Sequence, residues 1–244
     1  MLLFLIGSFF GKFDLLQERI LKLESNLSTK ADWVISTGNL GVWPDPMKAG
    51  RSIKKHGGAG DFPRYYLNST SFLRPTLFVA GKHEDHTWLD LKRSRQEMIL
   101  LPNLHWLVNG YSTVLRGATE SISIVGLGKV FSPIVFNSPD CKFTEGKYLR
   151  SEVERACSQG PMDLVLAHQG PIGAQFNAIK SNSEGLNKIT FATRPKLFVH
   201  GSYNVSKQYA APQTRVESIS LANFEILPIE WDGRRFQYDQ PLIS

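Results

Sequence analysis

The sequence predicts an α/β protein in which two β-sheets pack together with helices outside. Three observations carry this. An apolar run, a turn and an amphipathic helix recur three times in succession in the first 91 residues; two alternating, tight-turned segments follow; and buried-strand patterns return in the second half.

The opening LFLIGSFFGKFDLL, residues 3–16, reads as a buried strand, a glycine-bounded turn and the start of a helix over about 12–24. It has no basic leader region and no small-residue cleavage site, so it is expected to be a first strand and not a signal peptide. Ala31 to Thr37 (ADWVIST) is the second apolar run and breaks at Gly38-Asn39; Pro75 to Lys82 (PTLFVAGK) is the third, followed by a helix through Trp88, Leu89 and Leu91. The alternating stretches 105–117 (HWLVNGYSTVLRG) and 121–128 (SISIVGLG) read as hairpin strands opening a second sheet. A helix over about 147–158, buried strands at Met162 to Ala167 and Lys196 to Val199, and a strand-like tail from Val205 complete the pattern.

With 42% hydrophobic and 20% charged residues over 244 positions, the chain can bury a sizeable core, and no linker composition divides it; a single domain over 1–244 is expected. Lysine and arginine exceed aspartate and glutamate by 28 to 22, which favours an anionic partner without identifying one. Cys141 and Cys157 lack CxxC spacing and a nearby histidine cluster, so neither a zinc site nor a disulfide framework is indicated and a reduced, cytoplasmic protein with no membrane partner is expected. GLGKVF (126–131) lacks the full phosphate-loop pattern, and Ser8, Asp85, His86 and His105 have the composition of an acid-base group without its spacing.

Between Asn39 and Pro75 runs a long aperiodic connection rich in glycine, proline and cations: Lys48, Arg51, Lys54, Lys55 and Arg64. Residues 47–65 read either as an anion-binding flap or as a solvated loop.

In open α/β sheets the site gathers at the carboxyl ends of strands. Here those ends carry Ser8 and Phe10, Asn39, Lys82 and His83, His168, and Ser202 and Asn204. The order of these loops resembles the calcineurin-like metallophosphoesterase family over nearly the whole chain. GKHED (81–85) is similar to that family's GNH[DE] block, LAHQGP (166–171) to its LxHxxP block and HGSYN (200–204) to its GHxH block. Within the family, FPRYYLNSTSFLRPTLFVAGKHE resembles the region before the GNHE block of RNA lariat-debranching enzymes, and the turn with GKFDLL resembles the phosphoesterase-like N-terminal domain of Cwf19-like proteins.

The resemblance implies a four-layer α-β-β-α sandwich and, in the family, two divalent cations held by Asp, His and Asn. It also implies that the cation site is degenerate here. Ser8 and Phe10 stand for an acid and an imidazole, Asn39 for the bridging aspartate, Lys82 for an asparagine ligand, and Ser202 and Asn204 for two histidines; of these ligand positions only His168 is unchanged. Lys82 is expected to take the place of a cation inside the pocket. His83 matches the family residue beside the scissile phosphate, so His83 and His168 are remnants of the catalytic set. His200, two positions before the first GHxH histidine, would reach the pocket only by a slipped match that moves it roughly 7 Å along a strand.

Three readings follow. The leading one is a catalytically silent scaffold with no metal or other cofactor that binds a protein or nucleoprotein partner, RNA included. The second is a divergent phosphodiesterase with one metal at His168, His83 and Asn39, acting on nucleic acid. The third is a metal-free phosphate or nucleotide pocket made by Lys82, His83 and His168 under a lid bearing Lys54, Lys55 and Arg64.

Overall fold

The computed structural model describes residues 1–138, 144–173, 175–176, 179–180, 183–211 and 213–238; Cys141 lies outside them. In chain order the first half holds β1 (Leu2–Ile6), α1 (Phe13–Leu27), β2 (Trp33–Ser36), α2 (Arg51–Lys54), α3 (Phe62–Leu67), β3 (Thr76–Phe78), α4 (His86–Ser94), β4 (Ile99–Leu101) and β5 (Leu104–Trp106). The second half holds β6 (Ser112–Arg116), β7 (Ser121–Leu127), α5 (Pro133–Asn137), α6 (Arg150–Cys157), β8 (Leu164–Ala167), β9 (Gln175–Phe176), β10 (Ile179–Lys180), α7 (Glu184–Thr193), β11 (Leu197–His200), β12 (Lys207–Ala210), β13 (Glu217–Ser220), β14 (Ile226–Trp231) and β15 (Phe236–Gln237).

One sheet runs β15-β14-β1-β2-β3-β5-β4, the other β12-β13-β11-β8-β7-β6, and β9 pairs with β10 alone. Strands β1, β2, β3 and β5 are mutually parallel, as are β7, β8, β11 and β13, while antiparallel strands close the edges.

The alternation within β1 shows how the layers form. Phe4 and Ile6 join the core under α1, α3 and α4, whereas Leu3 and Leu5 face the other way, into the core between the sheets. There they meet Ile124, Leu166 and Val199 from the second sheet, whose opposite face packs Val125, Val165 and Phe198 against α6 and α7. The result is the four-layer α-β-β-α sandwich. No helix among the described residues is long and apolar enough to cross a membrane.

Two expectations are corrected. The segment 105–117 is not one hairpin strand: its start, in β5, pairs parallel with β3 and closes the first sheet, and only β6 belongs to the second. Buried Leu107, Val108 and Asn109 carry the chain from one sheet to the other. The connection 47–65 is not a structureless loop either. It contains a 3₁₀ turn at Pro46–Lys48, where the Asp45 side chain accepts a hydrogen bond from the Met47 N–H, and then α2 and α3. Phe62 and Tyr65, three apart on α3, are buried against Phe13; Ile53 and Ala59 pack with Trp43. These helices are too short to leave a period legible in sequence.

Glycines fix how closely the loops meet. Gly41 has φ +90°, and a Cβ there would lie 2.1 Å from the Gly11 nitrogen; one on Gly60 (φ +59°) would lie 2.3 Å from the Gly11 oxygen. Three connections therefore touch backbone to backbone. Gly41→Ala is expected to lower the unfolding free energy by about 2 kcal/mol or more, from strain and the forced separation of these loops. Gly50→Ala, with open space around the new methyl, should stay within about 0.5 kcal/mol of the parent in the same urea titration.

Candidate functional site

The carboxyl ends of β1, β2, β3, β8 and β11 converge, and the loops after them are joined by main-chain contacts. The Phe9 and Phe10 N–H groups both donate to the Asn39 carbonyl, at 3.2 and 2.9 Å, and the Gly11 N–H to the Leu40 carbonyl at 2.7 Å. Phe10 and Asn39 hold left-handed backbone (φ 50° and 53°), unusual for residues other than glycine. The loops are thus held in strained conformations by one another.

Asn39 is a clamp. Its Oδ1 accepts hydrogen bonds from the Lys82 N–H (2.8 Å) and the His83 N–H (3.0 Å), which uses both lone pairs. Glu84 is a second clamp at the same junction. Only 1% exposed, it accepts from the Leu40 N–H at 2.7 Å and the Gly41 N–H at 3.4 Å through Oε1, and from the Gly81 N–H at 2.7 Å through Oε2. Burial pushes its carboxyl up to about 7, against the opposite pull of those donors.

Phe10 fills the mouth. Its buried ring stacks on His56 with centroids 4.1 Å apart and meets His83 edge-on at 5.6 Å. His168 is fully buried, and its Nδ1 lies 2.9 Å from the Thr37 carbonyl, so that nitrogen carries the proton. Burial holds His168 and His83 down to about 4 and His86 to about 3; for His83, His56, Lys82 and His168 add repulsion. All three imidazoles are therefore neutral at neutral pH. His83 Nδ1 is buried without a hydrogen-bond partner among the described residues, while the His86 ring lies toward the Gly81 and Lys82 carbonyls.

Several expected site residues lie elsewhere. The Lys82 side chain is exposed and not planted within the pocket; a flexible ammonium keeps its hydration when its stem can reach solvent. Arg64 on α3 pairs with Asp14 of α1 and is no free anion contact, while Lys54 and Lys55 are exposed. Ser202 and Asn204 are exposed in left-handed conformations, and Asn204 Oδ1 accepts from the Asn223 N–H at 3.3 Å. His200 does not slip into the pocket: it ends β11, fully buried, with Nε2 2.7 Å from the Tyr209 hydroxyl on β12. Ser8 is buried, and its carbonyl accepts from the Phe224 N–H.

The residues present do not fit a pair of divalent cations. Among the described residues no three His, Cys, Asp or Glu side chains come together as a metal-binding group. The oxygen at the expected bridging position belongs to a neutral amide already bonded twice, the neighbouring ring is a benzyl group, and the buried carboxylates at this junction face backbone N–H groups, Glu84 those of Leu40, Gly41 and Gly81 and Asp85 that of Trp88. A single-metal set of His168, His83 and Asn39 fails on the same count, since Asn39 has no lone pair to give.

The sequence reading missed Glu84, although GKHED displays it within the matched block. It also missed His56, which no motif marks and which only folding brings against Phe10.

No family model matches the chain, and no curated protein matches it in sequence. Solved structures do share the fold. TT1561 of Thermus thermophilus superposes with a TM-score of 0.60 at 15% identity over 98% of this chain and 97% of its own. GAP50, the anchor in the inner membrane complex of Plasmodium, gives 0.56 at 11% identity over 97% and 82%. A putative 5'-nucleotidase from Staphylococcus aureus, solved with alpha-ketoglutarate, gives 0.53 at 11% identity over all of this chain and 54% of that one. What these structures share with the chain is the two-sheet sandwich fold.

Proposed function

We propose that this chain is a catalytically silent phosphoesterase-like domain that works by binding a protein or nucleoprotein partner. The observation that carries the reading is the use of Asn39: the side chain at the expected bridging position gives both lone pairs to the Lys82 and His83 N–H groups, tying one loop to another instead of facing a cation. Phe10 and His56 stack on one another beside His83, which ties the first loop to the 47–65 connection. Attachment as a role for this sandwich has a parallel in GAP50, itself described as an anchor.

The test is elemental analysis of untagged protein together with phosphodiester hydrolysis in added manganese, zinc or nickel. We expect substoichiometric metal and no turnover above buffer. Stoichiometric metal, or turnover lost in His168→Ala, overturns the reading.

One observation favours a metal-free phosphate pocket: the unpartnered Nδ1 of His83. If phosphate binds there, millimolar inorganic phosphate raises the melting temperature in proportion to the logarithm of its concentration over Kd, and His83→Ala abolishes the rise. An unchanged melting temperature removes this second reading.

A further inference from the structure

A groove of about 700 Å³ lies between α1 and the turn at residues 222–226, beside Asn204. Arg19, Lys22, Leu23 and Asn26 line it from α1, at the i, i+3, i+4, i+7 spacing that puts side chains on one helix face. Across from them lie Asn204, Asn223, Phe224 and Ile226. Leu23, Phe224 and Ile226 are partly buried and packed on the core, forming an apolar floor; Arg19 and Lys22 are exposed.

The charges are uncompensated. Among the described residues neither Arg19 nor Lys22 has a carboxylate within 4.0 Å, unlike Arg64, Arg74 and Lys92, which each pair with one. Arg19 donates one hydrogen bond, from Nη1 to the Phe224 carbonyl, which leaves most of its fork free. Lys12, just before α1, places its ammonium 4.8 Å from the Phe224 ring centre and extends the positive wall. The carboxylate in the groove, Glu225, is turned into the turn itself, accepting from the Ser206 hydroxyl and the Ala222 N–H.

We infer that this groove receives an acidic peptide segment of a protein partner, its carboxylates on Arg19 and Lys22 and its apolar side chains on Leu23 and Ile226. The inference rests on the binding role proposed above. Charge complementarity selects the sign of the occupant, and the aliphatic floor favours peptide over nucleic acid. Bases need bare aromatic faces, yet Phe224 has Lys12 over its ring and Phe9 and Phe10 set edge-on at 5.6 and 6.0 Å. The three amides Asn26, Asn204 and Asn223 supply both donors and acceptors, as an extended peptide backbone requires.

Fluorescence anisotropy with the full chain tests this, using a short labelled peptide of alternating glutamate and leucine, its glutamine counterpart and a single-stranded oligothymidylate. The acidic peptide is expected to bind at micromolar Kd, at least about tenfold tighter than the glutamine peptide, and to weaken as salt is raised. Arg19→Glu with Lys22→Glu should abolish binding. Lys22→Glu alone, at an exposed position without an ion pair, should weaken it about tenfold and leave thermal unfolding unchanged. No binding, equal binding of the two peptides, indifference to Lys22→Glu, or tighter oligothymidylate binding lost in the same variant overturns the proposal. None of these depends on metal content or hydrolysis, so this inference and the proposed function fail separately.

Discussion

Glu84→Ala is expected to lower the unfolding free energy by about 3–6 kcal/mol, because it strips the acceptor from three backbone N–H groups at once. Leu40, Gly41 and Gly81 are buried, so water cannot take the carboxylate's place at the junction without opening it. The consequence reaches beyond one side chain. Glu84 and Asn39 together tie the loop after β2 to the loop after β3, and Phe9 and Phe10 hang from the Asn39 carbonyl. In a chain of this size the loss corresponds to a fall in melting temperature on the order of 10 °C. Glu84→Gln keeps one carbonyl oxygen but turns an NH₂ toward an N–H, so about 1–3 kcal/mol is expected. Urea titration followed by circular dichroism measures both. A Glu84→Ala variant within about 1 kcal/mol of the parent would show that the clamp stabilises nothing.

Acid should destabilise the protein steeply from about pH 6.5 down to about pH 4. His86, His168 and His200 are buried and neutral, held at about 3, about 4 and about 3 by loss of solvation, whereas in the unfolded chain they titrate near 6.5. Below that value the unfolded chain takes up protons that the folded chain refuses, so stability falls as pH falls through this window. Glu84 opposes this. Its folded carboxyl, raised to about 7 from 4.5, keeps a proton that the unfolded chain releases, so its own contribution weakens as pH rises from 4.5 to 7. Three histidines against one glutamate leave a net uptake of nearly two protons on unfolding near about pH 5.5, or about 2.5 kcal/mol per pH unit. Unfolding curves at about pH 7.5, 6.5 and 5.5 measure the slope. His168→Asn, whose amide can still donate to the Thr37 carbonyl, should flatten it by roughly half. A stability flat from about pH 7 to about pH 5 would mean that these imidazoles are protonated in the folded protein.

Such a dependence follows from burying imidazoles that, among the described residues, pair with carbonyl and hydroxyl groups and not with a carboxylate. The buried histidines cost stability only when water offers them a proton, and the neutral, hydrogen-bonded state of His168 and His200 is what the sandwich stabilises at neutral pH. The same logic separates the two ends of the convergent loops. Inside, amide, carboxylate and aromatic groups are consumed by the chain's own backbone; outside, Lys12, Arg19, Lys22 and Lys82 remain exposed. Recognition on the rim therefore needs no change in the loops behind it.

The sequence alone determined the layers. Alternation at Leu3, Phe4, Leu5 and Ile6 specifies a strand buried on both faces, and the glycines closing the apolar runs specify where the loops must turn. It also displayed which residues follow the apolar runs, at positions 8, 10, 39, 82, 202 and 204, because residue identity is legible without a fold. What it could not supply was partnership. Whether HWLV continues a hairpin or closes the first sheet depends on the pairing of β5 with β3, some 28 residues earlier in the register of Leu104 with Thr76. That β14 returns to lie against β1 depends on a pairing across 228 positions, Leu2 with Glu230. Asn39 and Glu84 became clamps, and Arg19 a groove residue, only when distant backbone arrived within hydrogen-bond reach. Periodicity is a local property of a chain; the satisfaction of a buried polar group depends on whatever folding brings beside it, so it is decided by tertiary structure alone.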